Sequence, residues 1–313
     1  MSNIEGKQNG ITFFIPAYNC EKTILASVES IMGSNFHECD ELIVVNDGST
    51  DETPIIVERI REKYPITKII AHQENRGGAA ARNTATKNAR NSILFCLDSD
   101  NILEPGSIYP LKKFMLDNKA DIACFQEFRF FIKNPVKISH NKWILKPGIY
   151  SLADYLAGPV SPGASGNYMF TKESWVRAGG YPEFAGALDT WGFGLRQVAT
   201  SSKMMVLPNS FYYHRIGNDS YWVRFTRSTN ASNLALEILT PFFGLIDKES
   251  TDYILSEKGR NEWFERLEDH PIKVIGQEIG TSGWYHRDNN LLVRELRRIK
   301  SKVASLIRGY KAN

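Results

Sequence analysis

The sequence predicts an α/β protein: a doubly wound, mostly parallel sheet filling the first two-thirds of the chain, followed by a mainly helical extension. Three observations carry that expectation. Short apolar runs alternate with helix-period stretches from Ile11 to about Gln126, the pattern of successive strand–helix–strand units. The runs are apolar at consecutive positions, as in strands covered on both faces. Polar residues able to do chemistry cluster at the carboxyl ends of those runs, where doubly wound sheets hold ligands: Ala17-Tyr18-Asn19, Asn46-Asp47 and Asp98-Ser99-Asp100.

The elements follow in order. Ile11–Pro16 reads as the first strand, and Ile24, Leu25, Val28 and Ile31 form one stripe of a helix that Asn19 is placed to cap. Glu41–Asn46 is the second strand. In the turn after it two helix starts compete, a capping box from Ser49 to Glu52 and the pair Thr53-Pro54. Helix from Ile55 to Tyr64, strand Lys68–Ala71 and an alanine-rich helix from Gly77 to Arg90 come next. The apolar run from Ile93 stops at two carboxylates, Asp98 and Asp100, which strand alternation would point the same way. Glu104 to Ser107 opens a helix to about Asn118, before strand Ile122–Gln126. Gly158–Asn167 is rich in Gly, Pro and Ser and reads as a flexible loop. Tyr168–Phe170 is strand-like, Lys172–Ala178 is a short helix closed by Gly179-Gly180, Asp189 to Val198 is helical, and Phe211–His214 is a strand. From about Tyr221 onward helix dominates.

Composition narrows the class. At 313 residues, 42% hydrophobic and 23% charged, the chain is built like an ordinary globular protein with a large core. Its net charge of +3 is uneven, because Arg287 to Asn313 is basic and the remainder slightly acidic. No nucleic-acid partner is expected. Cys20, Cys39, Cys96 and Cys124 are scattered without zinc or disulfide spacing, and no stretch approaches the roughly 20 apolar residues of a membrane span. With no apolar leader at the start, a reducing, cytoplasmic location is expected. The basic terminal stripe of Leu292, Leu296, Ile299, Val303 and Leu306 has three readings: contact with an anionic inner membrane leaflet, packing on the body, or pairing with a second copy as a homodimer.

Buried charge is costly unless paired or metal-bound, so Asp98 and Asp100 invite a cation. Four segments then occur in register: FFIPAYN, ELIVVNDGSTDET, NRGGAAARN and LDSD. Together they resemble the inverting glycosyltransferases of family 2, over roughly residues 10–215. The resemblance implies a GT-A domain at 10–219, divided into a nucleotide-binding half at 10–127 and an acceptor-binding half at 128–219, with 220–313 as the extension. It implies a nucleotide-sugar donor, with UDP the expected nucleotide, and a glycan or lipid-linked acceptor in surface polysaccharide synthesis. It places Pro16, Ala17, Tyr18 and Asn19 around base and ribose, and gives Asp47 the ring N–H of the base. Asn75 and Gly78 stand at a helix start, where small residues let backbone amides approach phosphate, and Arg82, one turn in, lies near the base or diphosphate. Asp98 meets the ribose or a metal-bound water, and Ser99 beside it belongs to the nucleotide-sugar site. Asp100, with Asp98, ligates Mg²⁺ or Mn²⁺, hard cations suited to oxygen donors. His214 is a third metal ligand or a diphosphate contact, as in some GT-A enzymes, or else a hydrogen-bonded core residue.

A nucleoside diphosphate leaves readily as an anion, so one carboxylate acting as base suffices. Asp189 in GALDTWGFGLR matches the second acid of the family's acidic pair, although Leu188 stands where the first is common. Arg215, Arg224 and Arg227 are candidate phosphate clamps or an ordinary solvated face, and Trp191 and Tyr181 are acceptor platforms or, more commonly for such rings, core. Two alternatives stand beside this reading: a non-catalytic GT-A binding protein, hinted at by Leu188, and a sugar nucleotidyltransferase, which lacks support because Pro16-Ala17-Tyr18-Asn19 is unlike a triphosphate loop.

Overall fold

The strands form where β-branched and aromatic residues run together. In β1 (Ile11–Ala17) Ile11, Phe13, Phe14 and Ile15 are fully buried, and β2 (Glu41–Asn46) is buried along its whole length. Continuous burial requires cover on both faces, which α1 (Ile24–Ser34), α2 (Thr53–Lys63) and α3 (Gly78–Asn88) share in providing. The computed structural model describes residues 10–286 apart from 136, 159, 218–220, 268 and 281–283. The stripe at 292–306 therefore lies outside the described residues.

β1 pairs in parallel with β2 and with β4 (Ile93–Cys96), and β2 pairs in parallel with β3 (Thr67–Ala71). The chain thus runs outward from β1 to β3 on one side and returns through α3 to β4 on the other. The order reverses between β1 and β4, opening a crevice at their carboxyl ends. Beyond β4 the sheet is mixed. β9 (Met169–Thr171) is antiparallel to β4 and to β6 (Ile122–Phe131), and β6 is antiparallel to β7 (Ile138–Leu145) but parallel to β10 (Met204–Arg215). Short strands β5 (Ile102–Leu103) and β8 (Gly148–Tyr150) pair with β10, and β11 (Trp284–His286) with β7. α4 (Ile108–Asp117) packs on β6.

α5 (Leu152–Tyr155) and α6 (Lys172–Arg177) flank α7 (Asp189–Ala199), which is buried on nearly every side. Two glycines allow this. A Cβ on Gly194 would run into the Tyr155 hydroxyl and lie 3.1 Å from Gly163 Cα, so the helix rests directly on the turn at Pro162–Ser165. The chain then continues as α8 (Tyr221–Ser228), α9 (Ala231–Leu239), α10 (Lys248–Leu255) and α11 (Glu257–Glu262). Trp263 and Phe264 pack their rings on Trp191, which joins this helical part to the same core. Among the described residues no helix is long and apolar enough to cross a membrane.

The structure departs from the sequence pattern in four places. α2 starts at Thr53 with Pro54 in its first turn, so the capping-box start loses to the proline, whose missing N–H costs nothing there. α4 starts at Ile108, because Gly106 takes a left-handed turn (φ 71°) that a helix cannot hold. Asn19 does not cap α1, which begins at Ile24. And 160–167, within the stretch read as a flexible loop, is a buried wall: Ser161, Ser165 and Asn167 are each under 7% exposed.

Candidate active site

The first rim of the crevice is made by the loops after β1 and β2. Asn19 takes a left-handed conformation (φ 47°), and its Oδ1 accepts from the Thr50 amide at 2.8 Å, while its own amide donates to Ser49 Oγ at 3.0 Å. The two loops are thereby stitched together. Pro16 and Ala17 end the strand beneath, the Ala17 carbonyl accepting from the Asp47 amide at 2.8 Å, and Tyr18 stands half in solvent. Asp47 is buried. Its carboxylate accepts from His72 Nδ1 at 2.6 Å, from the Arg76 amide at 3.0 Å and from the Gly77 amide at 2.8 Å. Asp47 therefore holds the entry to α3 in place and has one lone-pair direction left for a base N–H. Gly48 (φ 68°) must be glycine, since a Cβ would strike the backbone of Glu74 and Asn75. The Asn75 side chain is exposed on this rim.

The centre of the crevice is one guanidinium. Arg82, in the second turn of α3, is 9% exposed and donates from Nη1 to Asp189 Oδ2 at 2.6 Å and from Nη2 to Asp98 Oδ1 at 2.7 Å. Gly78 lies directly against this pair: a Cβ there would sit 2.5 Å from Arg82 Nη1 and 3.2 Å from Asp189 Oδ2. The small residues at the start of α3 thus make room for the ion pairs. Burial disfavours the Arg82 charge, but Asp189 and Asp98 more than offset it and hold its pKa well above the usual value. Burial likewise lifts the Asp189 carboxyl above the usual range, with Arg82 pulling it back.

Asn167 is a site residue that the sequence reading missed. Its Nδ2 donates to Asp98 Oδ2 at 3.0 Å, and its Oδ1 accepts from the Asp98 amide at 2.8 Å, a two-point grip on the acid. The only signal was the glycine-rich stretch before it, whose Gly166 is left-handed (φ 74°) and would meet the Thr190 side chain if it carried a Cβ.

β4 ends at Cys96, so Asp98 and Asp100 lie in the turn beyond the strand and alternation does not govern them. Asp98 faces Arg82. Asp100 is part-buried and has no side-chain donor among the described residues. Burial and the neighbouring Asp98 push its carboxyl up to about 7, against a weaker pull from Arg215. Ser99, between them, is close enough to bond the buried Cys20 thiol. A carboxylate with no internal partner beside a second acid fits a cation. Among the described residues no three His, Cys, Asp or Glu side chains group closely enough to form a complete metal cage. Mg²⁺ and Mn²⁺ do not need one, because they bind through one or two carboxylates and take substrate phosphates and water for the rest.

His214 ends the site on β10. Asn101 Oδ1 accepts from the Arg215 amide at 2.8 Å, which turns its Nδ2 toward His214 Nδ1 at 3.4 Å, with the Tyr212 hydroxyl also 3.0 Å from that nitrogen. A side-chain amide N–H can only donate, so this contact makes Nδ1 the acceptor and puts the proton on Nε2, a tautomer suited to donating to a phosphate oxygen. Burial lowers the His214 pKa to about 4, so the ring is neutral.

Arg215 is spent on the Asp100 and Ile132 carbonyls and on the face of Phe131. Trp191 and Tyr181 are each 2% exposed and belong to the core, not to an acceptor platform. An exposed aromatic ring near Asp189 is Tyr221, at the start of α8. This helix packs Phe225 against Gly186 in the turn before Asp189, and the Asp189 charge helps to raise the Tyr221 phenol.

An open sheet, parallel from β4 to β3 and mixed beyond, with its polar cluster at the switch point, has the GT-A architecture. The solved structures agree. The likeness to TarS from Staphylococcus aureus in complex with UDP-GlcNAc has a TM-score of 0.62 at 21% identity, covering 82% of this chain and 74% of that one. The likeness to the mannosyltransferase PcManGT from Pyrobaculum calidifontis, in complex with GDP-Man and Mn²⁺, has a TM-score of 0.57 at 18% identity, covering 82% and 68%. The family model for glycosyl transferase family 2 matches residues 12–179, and the chain belongs to that family. Among curated relatives, Escherichia coli chondroitin synthase is 37% identical over 98 residues, 31% of this chain and 14% of that protein. Poly-beta-1,6-N-acetyl-D-glucosamine synthase of S. aureus strain COL is 31% identical over 175 residues, 55% of this chain and 42% of the relative. The chain thus spans less than half the length of either relative.

Proposed function

We propose that the chain is a metal-dependent inverting glycosyltransferase that moves a sugar from a UDP-sugar to a hydroxyl of a growing glycan or lipid-linked acceptor in surface polysaccharide synthesis. The observation that carries the reading is the Arg82 guanidinium, 2.6 Å from Asp189 and 2.7 Å from Asp98. It gathers acids 91 positions apart in the chain (189 − 98) into one cluster at the sheet's switch point. A single carboxylate beside the donor is what inversion requires: Asp189 takes the acceptor proton as the hydroxyl attacks the anomeric carbon from the face opposite the leaving diphosphate. Its raised pKa makes it the stronger base. Arg82, with both Nη groups committed to carboxylates, positions Asp189 and Asp98, while His214 Nε2–H and the small-residue start of α3 are the donors open to the diphosphate.

Asp100, helped by Asp98, would hold Mg²⁺ or Mn²⁺, which when bound supplies positive charge for the leaving diphosphate. UDP-GlcNAc in TarS and GDP-Man with Mn²⁺ in PcManGT support a nucleotide-sugar donor and a divalent ion. The synthase relatives support a polysaccharide product. Within this reading residues 10–219 form the transferase domain and 220–313 an extension.

Screening nucleotide-sugars for Mn²⁺-dependent release of nucleoside diphosphate tests the proposal, with calorimetric binding of UDP and GDP as its second arm. Release from a UDP-sugar is expected. Absence of both release and nucleotide binding would refute it.

A further inference from the structure

Behind the catalytic cluster, on the outer side of Tyr181, lies a second cavity of about 490 Å³, within the range of small-molecule sites. Its walls are Trp175 on α6, the 179–184 segment, Lys87 at the end of α3 and Arg196 on α7. Trp175 is half-buried and fixed by its Nε1 bond to Asn83 at 3.0 Å, while Phe184 is 52% exposed. Two aromatic rings at one hollow, one rigid and one in solvent, provide apolar faces of the kind on which a sugar ring packs.

The charges in the hollow are unbalanced. Its acid, Glu183, is already taken by Asn83 Nδ2 at 3.0 Å and by Arg76 at 3.6 Å. Arg196 is partly buried, has only a 3.5 Å contact to the Gly180 carbonyl, and finds no carboxylate among the described residues. Its guanidinium instead stands 5.7 Å from the centre of the Phe184 ring, and burial lowers its pKa below the usual value. Lys87 on the facing helix is exposed and likewise has no acid partner among the described residues. A half-desolvated guanidinium without a counter-charge attracts an anion strongly.

The position follows from helix geometry. Arg196 is seven residues after Asp189 on α7, two turns along the same side and about 10 Å away at 1.5 Å per residue. We infer that this cavity is a second glycan subsite, which takes a ring-bearing anion, a carboxylated or phosphorylated sugar unit, between the aromatic rings and the Arg196–Lys87 pair. The choice of a glycan rests on the glycosyltransferase reading; the pairing of ring and anion does not.

The test is direct binding, read from the Trp175 indole signal in ¹⁵N spectra of the full chain. That signal is identified by its loss in Trp175→Phe. The probes are methyl glucuronide, glucose 6-phosphate, methyl glucoside and inorganic phosphate. A shift with the glucuronide, with glucose 6-phosphate, or with both supports the inference and distinguishes carboxylate from phosphate. Methyl glucoside should bind at least tenfold more weakly. Arg196→Gln should weaken the effective probe tenfold or more, and the exposed Lys87→Gln, which leaves the fold intact, about threefold. UDP binding by calorimetry should be unchanged in both variants, and it reports separately on the donor site. No shift with either ring-bearing anion, an equal shift with inorganic phosphate alone, or unchanged probe affinity in both variants would overturn the inference, whatever UDP does.

Discussion

Replacing Asp189 with Asn separates its two jobs. The carboxylate is the proposed base and also one of two counter-charges on buried Arg82, 2.6 Å away. Loss of a general base costs about 10²–10⁴ in rate, or about 3–5 kcal/mol at 1.36 kcal/mol per decade. Stability should suffer less than the roughly 3–5 kcal/mol of a broken buried pair, because the Asn oxygen can still accept from Nη1 and Asp98 still neutralises Nη2. A loss of about 1–2 kcal/mol is expected. Donor binding should persist, since removing one negative charge makes the pocket more favourable to diphosphate. The assay is initial-rate release of nucleoside diphosphate from a UDP-sugar with acceptor present, alongside UDP calorimetry with Mn²⁺. The pH profile adds a sign: the base works only when deprotonated, so wild-type rate falls as pH drops through the Asp189 pKa, which burial has raised. Full transfer rate in Asp189→Asn would refute the choice of base. Loss of UDP binding together with rate would place Asp189 in donor recognition instead.

Three further outcomes follow from the geometry. Asp100→Ala should abolish the Mn²⁺-dependent gain in UDP affinity while leaving metal-free UDP binding unchanged; calorimetry with and without Mn²⁺ decides it. His214 has a folded pKa of about 4, below its ordinary 6.5, so it contributes stability above pH 6.5 that disappears as pH falls toward 4, at most about 3 kcal/mol. Urea unfolding at pH 7.5 and 4.5 should show a smaller difference for His214→Asn than for wild type, and equal differences would contradict the assignment. Gly194→Ala should destabilise by about 1–3 kcal/mol, read by thermal melting, because its methyl meets the Tyr155 hydroxyl and the Gly163 backbone.

What the sequence made legible is the half of the molecule whose physics is local. The strand read at Glu41–Asn46 has those bounds in the structure, and the alanine-rich helix differs from α3 only at its ends. Buried parallel strands announce themselves by unbroken apolar runs, and Pro54 fixes a helix start without outside help. Past Phe130 the strands are held by partners distant in sequence. β7 pairs with β6 and β10 with β6 and β8, so their extents depend on contacts that no local pattern encodes. The same limit applies to the site. Asp98 and Asp100 could be picked out by residue type and spacing and Asp189 by its resemblance to the family's acidic pair, but the Arg82 bridge, the Asn167 grip and the bonds to His214 Nδ1 are products of tertiary approach. Tyr181 and Trp191 stayed open between acceptor platform and core for a related reason, since an aromatic near a catalytic acid reads the same in sequence whether it faces solvent or core; both take the commoner core place.

One measurement reaches the central claim most directly: a crystal of the chain grown or soaked with UDP and Mn²⁺, with the ion located by anomalous scattering. The account places the Mn²⁺ peak against the Asp100 carboxylate, with the diphosphate between it and the start of α3. A nucleotide bound away from the β1–β4 crevice, or a manganese peak nowhere near Asp100, would contradict it.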